Sequence, residues 1–128
     1  MVEYLLDSDY LISFLAGRNE AVDLITKLSK SILSTSIICV AEVLEGLYAY
    51  HEEKKLAIFE SYISNIKLYG VDKQIAEIFA HLRADLRKRG ELIDNFDLLI
   101  AATCQANKLV LVTGNKAHFQ RLTGLQLY

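Results

Sequence analysis

Short apolar runs alternate along the chain with longer segments whose apolar residues recur three or four positions apart. The runs predict strands at Val2–Leu6, Ser31–Thr35, Ile66–Tyr69 and Leu109–Val112, with a weaker one at Leu125–Leu127. The longer segments predict helices between them. One runs through Tyr10, Leu11, Ile12, Phe14 and Leu15, capped by Ser8 or Asp9 and stopping near Gly17. A second covers Ala21 to Leu28. A third follows a cap at Ser36 and carries Ile37, Val40, Ala41, Leu44, Leu47 and Tyr48 as an apolar stripe. The charged stretch from His51 to Lys55 breaks that helix, and another follows through Leu56, Phe59, Tyr62 and Ile63. Asp72 caps a helix bearing Ile75, Ile78, Phe79, Leu82 and Leu86, closed by a basic cluster and Gly90. The last long helix begins near Asp94 and ends near Asn107, and a single helical turn to Phe119 follows the turn Thr113-Gly114-Asn115.

About five strands joined by helical crossovers imply an α/β fold, a parallel sheet with helices on both faces. With no proline anywhere, helix ends depend on glycines and polar caps. The first strand, with Val2, Tyr4, Leu5 and Leu6, reads as covered on both faces, which makes it an inner strand. A chain of 128 residues is expected to form one domain, 1–128, without linker or repeat. At that length ~70% of the unfolded surface is buried on folding, so no staple is needed.

Cys39 and Cys104 stand far apart in predicted helices, with no second cysteine or histidine nearby, and read as buried thiols in a reducing compartment. No apolar run approaches the ~20 residues of a membrane span, and no leader pattern opens the chain, so a cytoplasmic, soluble protein is expected. The net charge of −2 argues against simple coating of nucleic acid by a basic surface. It leaves nucleic-acid chemistry open, because acids that gather around a cation lower the formal charge while the substrate meets the metal. Arg83, Arg87, Lys88 and Arg89 form a local basic patch, which either contacts a phosphate backbone or complements the negative end of a helix.

Acids stand just past a strand or on the first turns of a helix at three places: Asp7 with Asp9, then Glu42, then Asp94 with Asp97. In open α/β sheets the crevice beyond the carboxyl ends of the strands is where ligands bind. Glu42 is hemmed in by Val40, Ala41, Val43 and Leu44, leaving little of its turn to face water, whereas Glu45 lies three residues on. Asp94 reads as an N-cap; Asp97 is either its capping-box partner or a site acid held rigidly at the sheet's edge. Thr113 and Asn115 are ordinary turn residues that also lie at a strand's carboxyl end. His51, His81 and His118 are too scattered for a metal triad. No G-x-S-x-G, P-loop or G-x-G-x-x-G occurs. Carboxylates without histidine suit hard cations such as Mg²⁺ or Mn²⁺, and such a site serves phosphodiester hydrolysis.

Together, LLDSDYL near the start, AEVLEG after the second strand, NFDLLIAAT before the fourth and LVTGNKAHF after it resemble the PIN-domain ribonucleases, specifically VapC-type toxins of toxin–antitoxin pairs. The resemblance spans essentially the whole chain. It implies a parallel sheet in the order 3-2-1-4-5, a metal-dependent endoribonuclease acting on structured RNA such as tRNA or rRNA, a small cognate antitoxin, a homodimer and a Mg²⁺ or Mn²⁺ site. By position, Asp7 matches the first metal-binding acid, Glu42 the helix-borne acid, acting directly or through water, and Asp97 the third. Asn115 falls where the family carries a variable fourth acid. Asp9, where the family commonly has Asn, is an extra ligand or an N-cap. Ser8 and Thr113 are candidates for positioning the scissile phosphate.

Two enzyme classes and one inert class compete with that reading. D-S-D after the first strand also resembles haloacid-dehalogenase-type phosphohydrolases, which attack through the first Asp, but these need an acid pair where Val112 is followed by Thr-Gly-Asn. A receiver domain wants an acceptor Asp where Leu68-Tyr69-Gly70 offers none. An inactive PIN-like interaction domain predicts no metal-dependent activity. Leu44, Leu47, Tyr48, Tyr50, Leu56 and Phe59 serve either the core or a partner surface.

Overall fold

The computed structural model describes residues 1–128. Five parallel strands lie in the order β3-β2-β1-β4-β5, where β1 is Glu3–Leu6, β2 Ile32–Ser36, β3 Lys67–Tyr69, β4 Val110–Val112 and β5 Gln126–Leu127. Seven helices connect them: α1 (Ser8–Leu15), α2 (Asn19–Leu28), α3 (Ile37–Ala49), α4 (Glu53–Ile63), α5 (Lys73–Arg89), α6 (Asn95–Asn107) and α7 (Lys116–Phe119). The expected α/β architecture and strand order are both present.

β1 is the centre of the sheet. It pairs with β2 through Tyr4↔Leu33 and with β4 through Leu5↔Leu111 and Leu6↔Val112. The chain reverses its direction of sheet growth between β1 and β4, which opens the crevice at their carboxyl ends. Leu5 and Leu6 are wholly buried, but Val2 lies outside the strand and is exposed, so only the carboxyl half of β1 is covered on both faces. The small hydroxyls of β2 satisfy themselves within the sheet: Ser34 donates to the Tyr4 carbonyl at 2.9 Å and Thr35 to the Leu6 carbonyl at 2.8 Å. Burying those polar groups is therefore inexpensive, and they tie β2 to the strand that ends at Asp7.

Ser36 caps α3 by accepting from the Cys39 amide at 3.1 Å, and Asp72 caps α5 by accepting from Ile75 at 2.9 Å, as expected. Gly90 closes α5 in the left-handed region at φ 68°, which a residue without Cβ adopts freely. Three local expectations need correction. Neither Ser8 nor Asp9 caps α1; the cap is Asp7, whose side chain accepts from the Ser8 amide. The buried face of α3 is Cys39, Val40, Val43 and Leu47, with Ile37, Ala41 and Tyr48 exposed. That helix is apolar nearly all round, so spacing alone does not fix which stripe packs inward. The break between α3 and α4 is confined to Tyr50–Glu52, with His51 at φ 52°, and the charged residues Glu53 to Lys55 form the first turn of α4.

The core gathers on the sheet and α6. Leu98, Ile100, Ala101 and Ala102 of α6 are fully buried, with Leu111, Phe59, Leu86 and Phe119 around them. Ala101 and Ala102 of α6 are wholly buried, and the helix packs against α5, α3 and β4, which fixes its position in the core.

Candidate active site

Asp7 is the last residue that the sheet holds before the chain turns into α1. Its amide still donates to the Val112 carbonyl at 3.0 Å, extending the β1–β4 ladder by one bond. Its carboxylate is 5% exposed. Oδ1 accepts from the Ser8 amide at 2.8 Å, and Oδ2 accepts from the Thr113 hydroxyl at 2.7 Å. Burial pushes this carboxyl up to about 6; the Thr113 hydrogen bond opposes the rise, and the charge of Asp9 adds to it.

Glu42 and Asp97 come to Asp7 from α3 and α6. Glu42 is half-buried, and its Oε1 is shut off from water with no hydrogen-bond partner. Burial raises its pKa, a Ser8 hydrogen bond opposes this, and the charges of Asp7, Asp97 and Asp94 raise it further. Asp97 lies in the first turn of α6, and its pKa is likewise raised by burial, with His118 opposing. Burial is the first cause at all three carboxyls, and the charge of Asp97 adds to the rise at both Asp7 and Glu42.

Asp94 caps α6, accepting from the Phe96 amide at 3.0 Å, in keeping with the structural reading of that residue. Glu45 is exposed to solvent on α3. Asp9 is engaged by backbone: Oδ1 accepts from the Tyr10 amide at 2.7 Å and Oδ2 from the Gly114 amide at 2.8 Å. It thereby straps the start of α1 to the loop after β4. A Cβ on Gly114 would lie 2.8 Å from that same Asp9 oxygen, so the strap requires glycine there. Thr113 is 1% exposed with its hydroxyl directed at Asp7, so it acts on that carboxylate rather than on a phosphate in solvent.

Sequence reasoning missed two neighbours of the acids. Cys39 lies with Sγ 3.8 Å from Asp7 Oδ1, and one donor atom each from Asp7, Cys39 and Glu42 fall within 4.8 Å of one another. Burial, then the Asp7 charge, pushes the Cys39 thiol up to about 12, so it stays protonated. His118 stands with Nδ1 3.5 Å from Asp97 Oδ2 and 2.8 Å from the Asn115 side-chain nitrogen. Asn115 thus reaches the cluster through His118. Cys39 follows Ser36 by one helical turn, and His118 follows Asn115 by three residues, but neither spacing carries a signal for an acid on another element.

The donor set fits a hard divalent cation. Within the group whose donor atoms lie within 4.8 Å of one another, Asp7 and Glu42 offer carboxylate oxygens, the one sulfur is a protonated thiol, and the sequestered Glu42 Oε1 has no protein partner to satisfy it; Asp97 is not part of that group. A cation there would offset the cost of holding charged carboxylates in a buried, acidic setting. The basic patch is partly spent on other contacts: Arg83 donates to Asn95 at 2.9 Å, and Arg89 pairs with Asp85 and Glu91.

The PIN domain family matches residues 4–125. Ribonuclease VapC2 of Haemophilus influenzae is 27% identical over 98% of this chain and 96% of its own length. The tRNA(fMet)-specific endonuclease VapC of Salmonella typhimurium is 27% identical over 99% of this chain and 97% of its own. Among solved structures, DNA-bound VapBC from Salmonella typhimurium superposes with a TM-score of 0.88 at 27% identity, covering 100% of this chain and 98% of that one.

Proposed function

The chain belongs to the PIN-domain family, and on that premise we propose that it is a VapC-type endoribonuclease, the toxin of a toxin–antitoxin pair, whose site is Asp7, Glu42 and Asp97. The observation that carries this reading is that Asp7, just past β1, and Glu42, on α3, bring donor atoms within 4.8 Å of one another at a buried Glu42 oxygen with no partner, with the charge of Asp97, on α6, acting on both. Asp7 and Asp97 would hold a divalent metal ion, Mg²⁺ or Mn²⁺, with Glu42 joining them directly or through water, and such an ion would supply an activated water and neutralise charge on a phosphoryl oxygen.

The residues around those acids set their geometry. Thr113 and the Ser8 amide fix both oxygens of Asp7. His118 stands against Asp97 and sets its position. Asp9 acts as a strap between loops, and Asn115 supports His118.

RNA is the substrate, and tRNA is the first class to try because the Salmonella relative bears the name of a tRNA-specific endonuclease. A small antitoxin and a second copy of the chain are the expected partners. Exposed apolar side chains at Ile12 on α1 and Tyr50 after α3, which line one shallow pocket with Leu15 and Leu47, offer apolar surface for one of them. The phosphohydrolase and receiver readings are not favoured, since no acid pair follows β4 and no acceptor Asp ends β3. No helix is long and apolar enough to cross a membrane.

Purified protein incubated with total tRNA and with rRNA, each with Mg²⁺ or Mn²⁺ and then with EDTA, tests the proposal. Discrete cleavage products that disappear with chelator are expected. Products indifferent to chelator, or none with any RNA, would contradict it.

A further inference from the structure

Beside the carboxylate cluster lies a cavity of about 210 Å³ lined by Asp9, Tyr10, Ser13, Arg18, Glu20 and Gly114. It shares a wall with the active site: Asp9 follows Asp7 by two residues, and Gly114 follows Thr113, the donor to Asp7. The Asp9–Gly114 hydrogen bond joins two of its lining residues, so the strap between α1 and the loop after β4 forms part of its wall. Arg18 and Glu20 are exposed at its rim, and neither enters an ion pair or side-chain hydrogen bond within the chain. A cation and an anion so close in sequence, both without an internal partner, leave donors and acceptors free for a ligand that carries both kinds of group.

Given the ribonuclease reading, we propose that this cavity binds a guanine base of the RNA strand adjacent to the scissile phosphate. Single-stranded RNA is read by bases stacked on aromatic or guanidinium planes and hydrogen-bonded at their edges. Tyr10, half-buried in the wall, and Arg18 supply such planes. Guanine offers the acceptor pair O6/N7 to a guanidinium, the commonest arginine contact to a base. It also offers the donor pair N1–H and N2–H to a carboxylate. Adenine lacks the N2 donor and O6, and pyrimidines lack N7, so guanine alone offers both pairs to a lining that holds the unpaired Arg18 together with the unpaired Glu20 carboxylate. The carboxylates Asp9 and Glu20 disfavour a bare phosphate in the same place.

Two readouts test the assignment. In the first, ¹⁵N-labelled full chain in EDTA is titrated with guanosine 5′-monophosphate and, separately, adenosine 5′-monophosphate. Amide shifts at Ser13, Glu20, Ala21 and Gly114 with the guanine nucleotide, and weaker ones with adenine, are expected. In the second, RNA oligomers carrying guanosine, inosine or adenosine on either side of the cut are compared by kcat/KM in wild type, Glu20→Gln and Arg18→Ala. The wild type is expected to favour guanosine at one flanking position, and each variant to reduce that preference by about tenfold. Equal response to the two nucleotides, shifts confined elsewhere, or an unchanged preference in both variants would overturn the proposal even with RNA cleavage intact. Guanine-selective shifts in a protein that cuts no RNA would instead leave the cavity assigned and overturn the ribonuclease reading.

Discussion

The Thr113 hydroxyl donates to Oδ2 of Asp7 at 2.7 Å, joining the ends of β4 and β1 across 106 residues of sequence. That bond is wholly buried, and it opposes the rise in the Asp7 pKa that burial causes. A group that orients a metal-binding carboxylate typically changes metal affinity about 10–100-fold when removed. Thr113→Val keeps the shape and removes the donor, so Mn²⁺ affinity measured by calorimetry is expected to fall by that order. Thr113→Ser retains the hydroxyl and should restore most of it. Equal affinity in Val and Ser variants would show that the hydroxyl has no part in holding Asp7.

Without metal, the site is a stability cost with a definite pH dependence. The Asp7 carboxyl is raised to about 6 in the folded chain from 3.8, so the folded state holds its proton more tightly than the unfolded state does. Below about pH 4 both states are protonated and no penalty exists. As pH rises from there through about 6 the unfolded chain gives up the proton first, stability falls, and the full loss, on the order of 3 kcal/mol, is reached above it. Glu42 and Asp97 are raised as well and act in the same direction. Asp7→Asn should therefore stabilise the metal-free protein at pH 7 by about 1–3 kcal/mol and flatten the pH dependence. Urea unfolding in EDTA at pH 5 and pH 7.5 measures both effects.

The acids were legible in sequence for a physical reason: each sits where a buried strand or helix makes a charge costly, as with Asp7 after Leu5 and Leu6, or Glu42 between Val40 and Val43. The strand order is implied by the motif resemblance and is present in the sheet. What the sequence did not reveal depends on side chains meeting from different elements. Cys39 at Asp7, His118 at Asp97 and the Gly114–Asp9 contact are separated by 32, 21 and 105 positions, and no local periodicity encodes them. The inward face of α3 was misread because a helix apolar on most sides has no unique stripe.

Gly114→Ala places a methyl group 2.8 Å from Asp9 Oδ2 and must displace that carboxylate from the Gly114 amide. Losing the bond is expected to cost about 1 kcal/mol by denaturant unfolding. In an Asp9→Ala background the same substitution should cost little. A double-mutant cycle with no coupling would show that the two residues are not strapped together.

Both thiols are expected to be inert in the native protein. Burial pushes Cys39 up to about 12 and raises Cys104 as well, so thiolate is scarce at neutral pH. Mass spectrometry after brief maleimide treatment should find neither cysteine labelled until denaturant is added, and activity should survive the reagent. Rapid native labelling of Cys39 would contradict its placement behind Asp7.

Asp97→Asn removes one ligand charge at nearly constant shape, and Asp97 accepts no bond from the backbone of α6 that the change would break. The most direct measurement is single-turnover cleavage of the preferred RNA in Mn²⁺ by wild type and Asp97→Asn, with folding of both verified by circular dichroism. A loss of at least about 100-fold in the cleavage rate, with unfolding stability unchanged or increased, is predicted. Cleavage by Asp97→Asn at the wild-type rate would contradict the three-acid site.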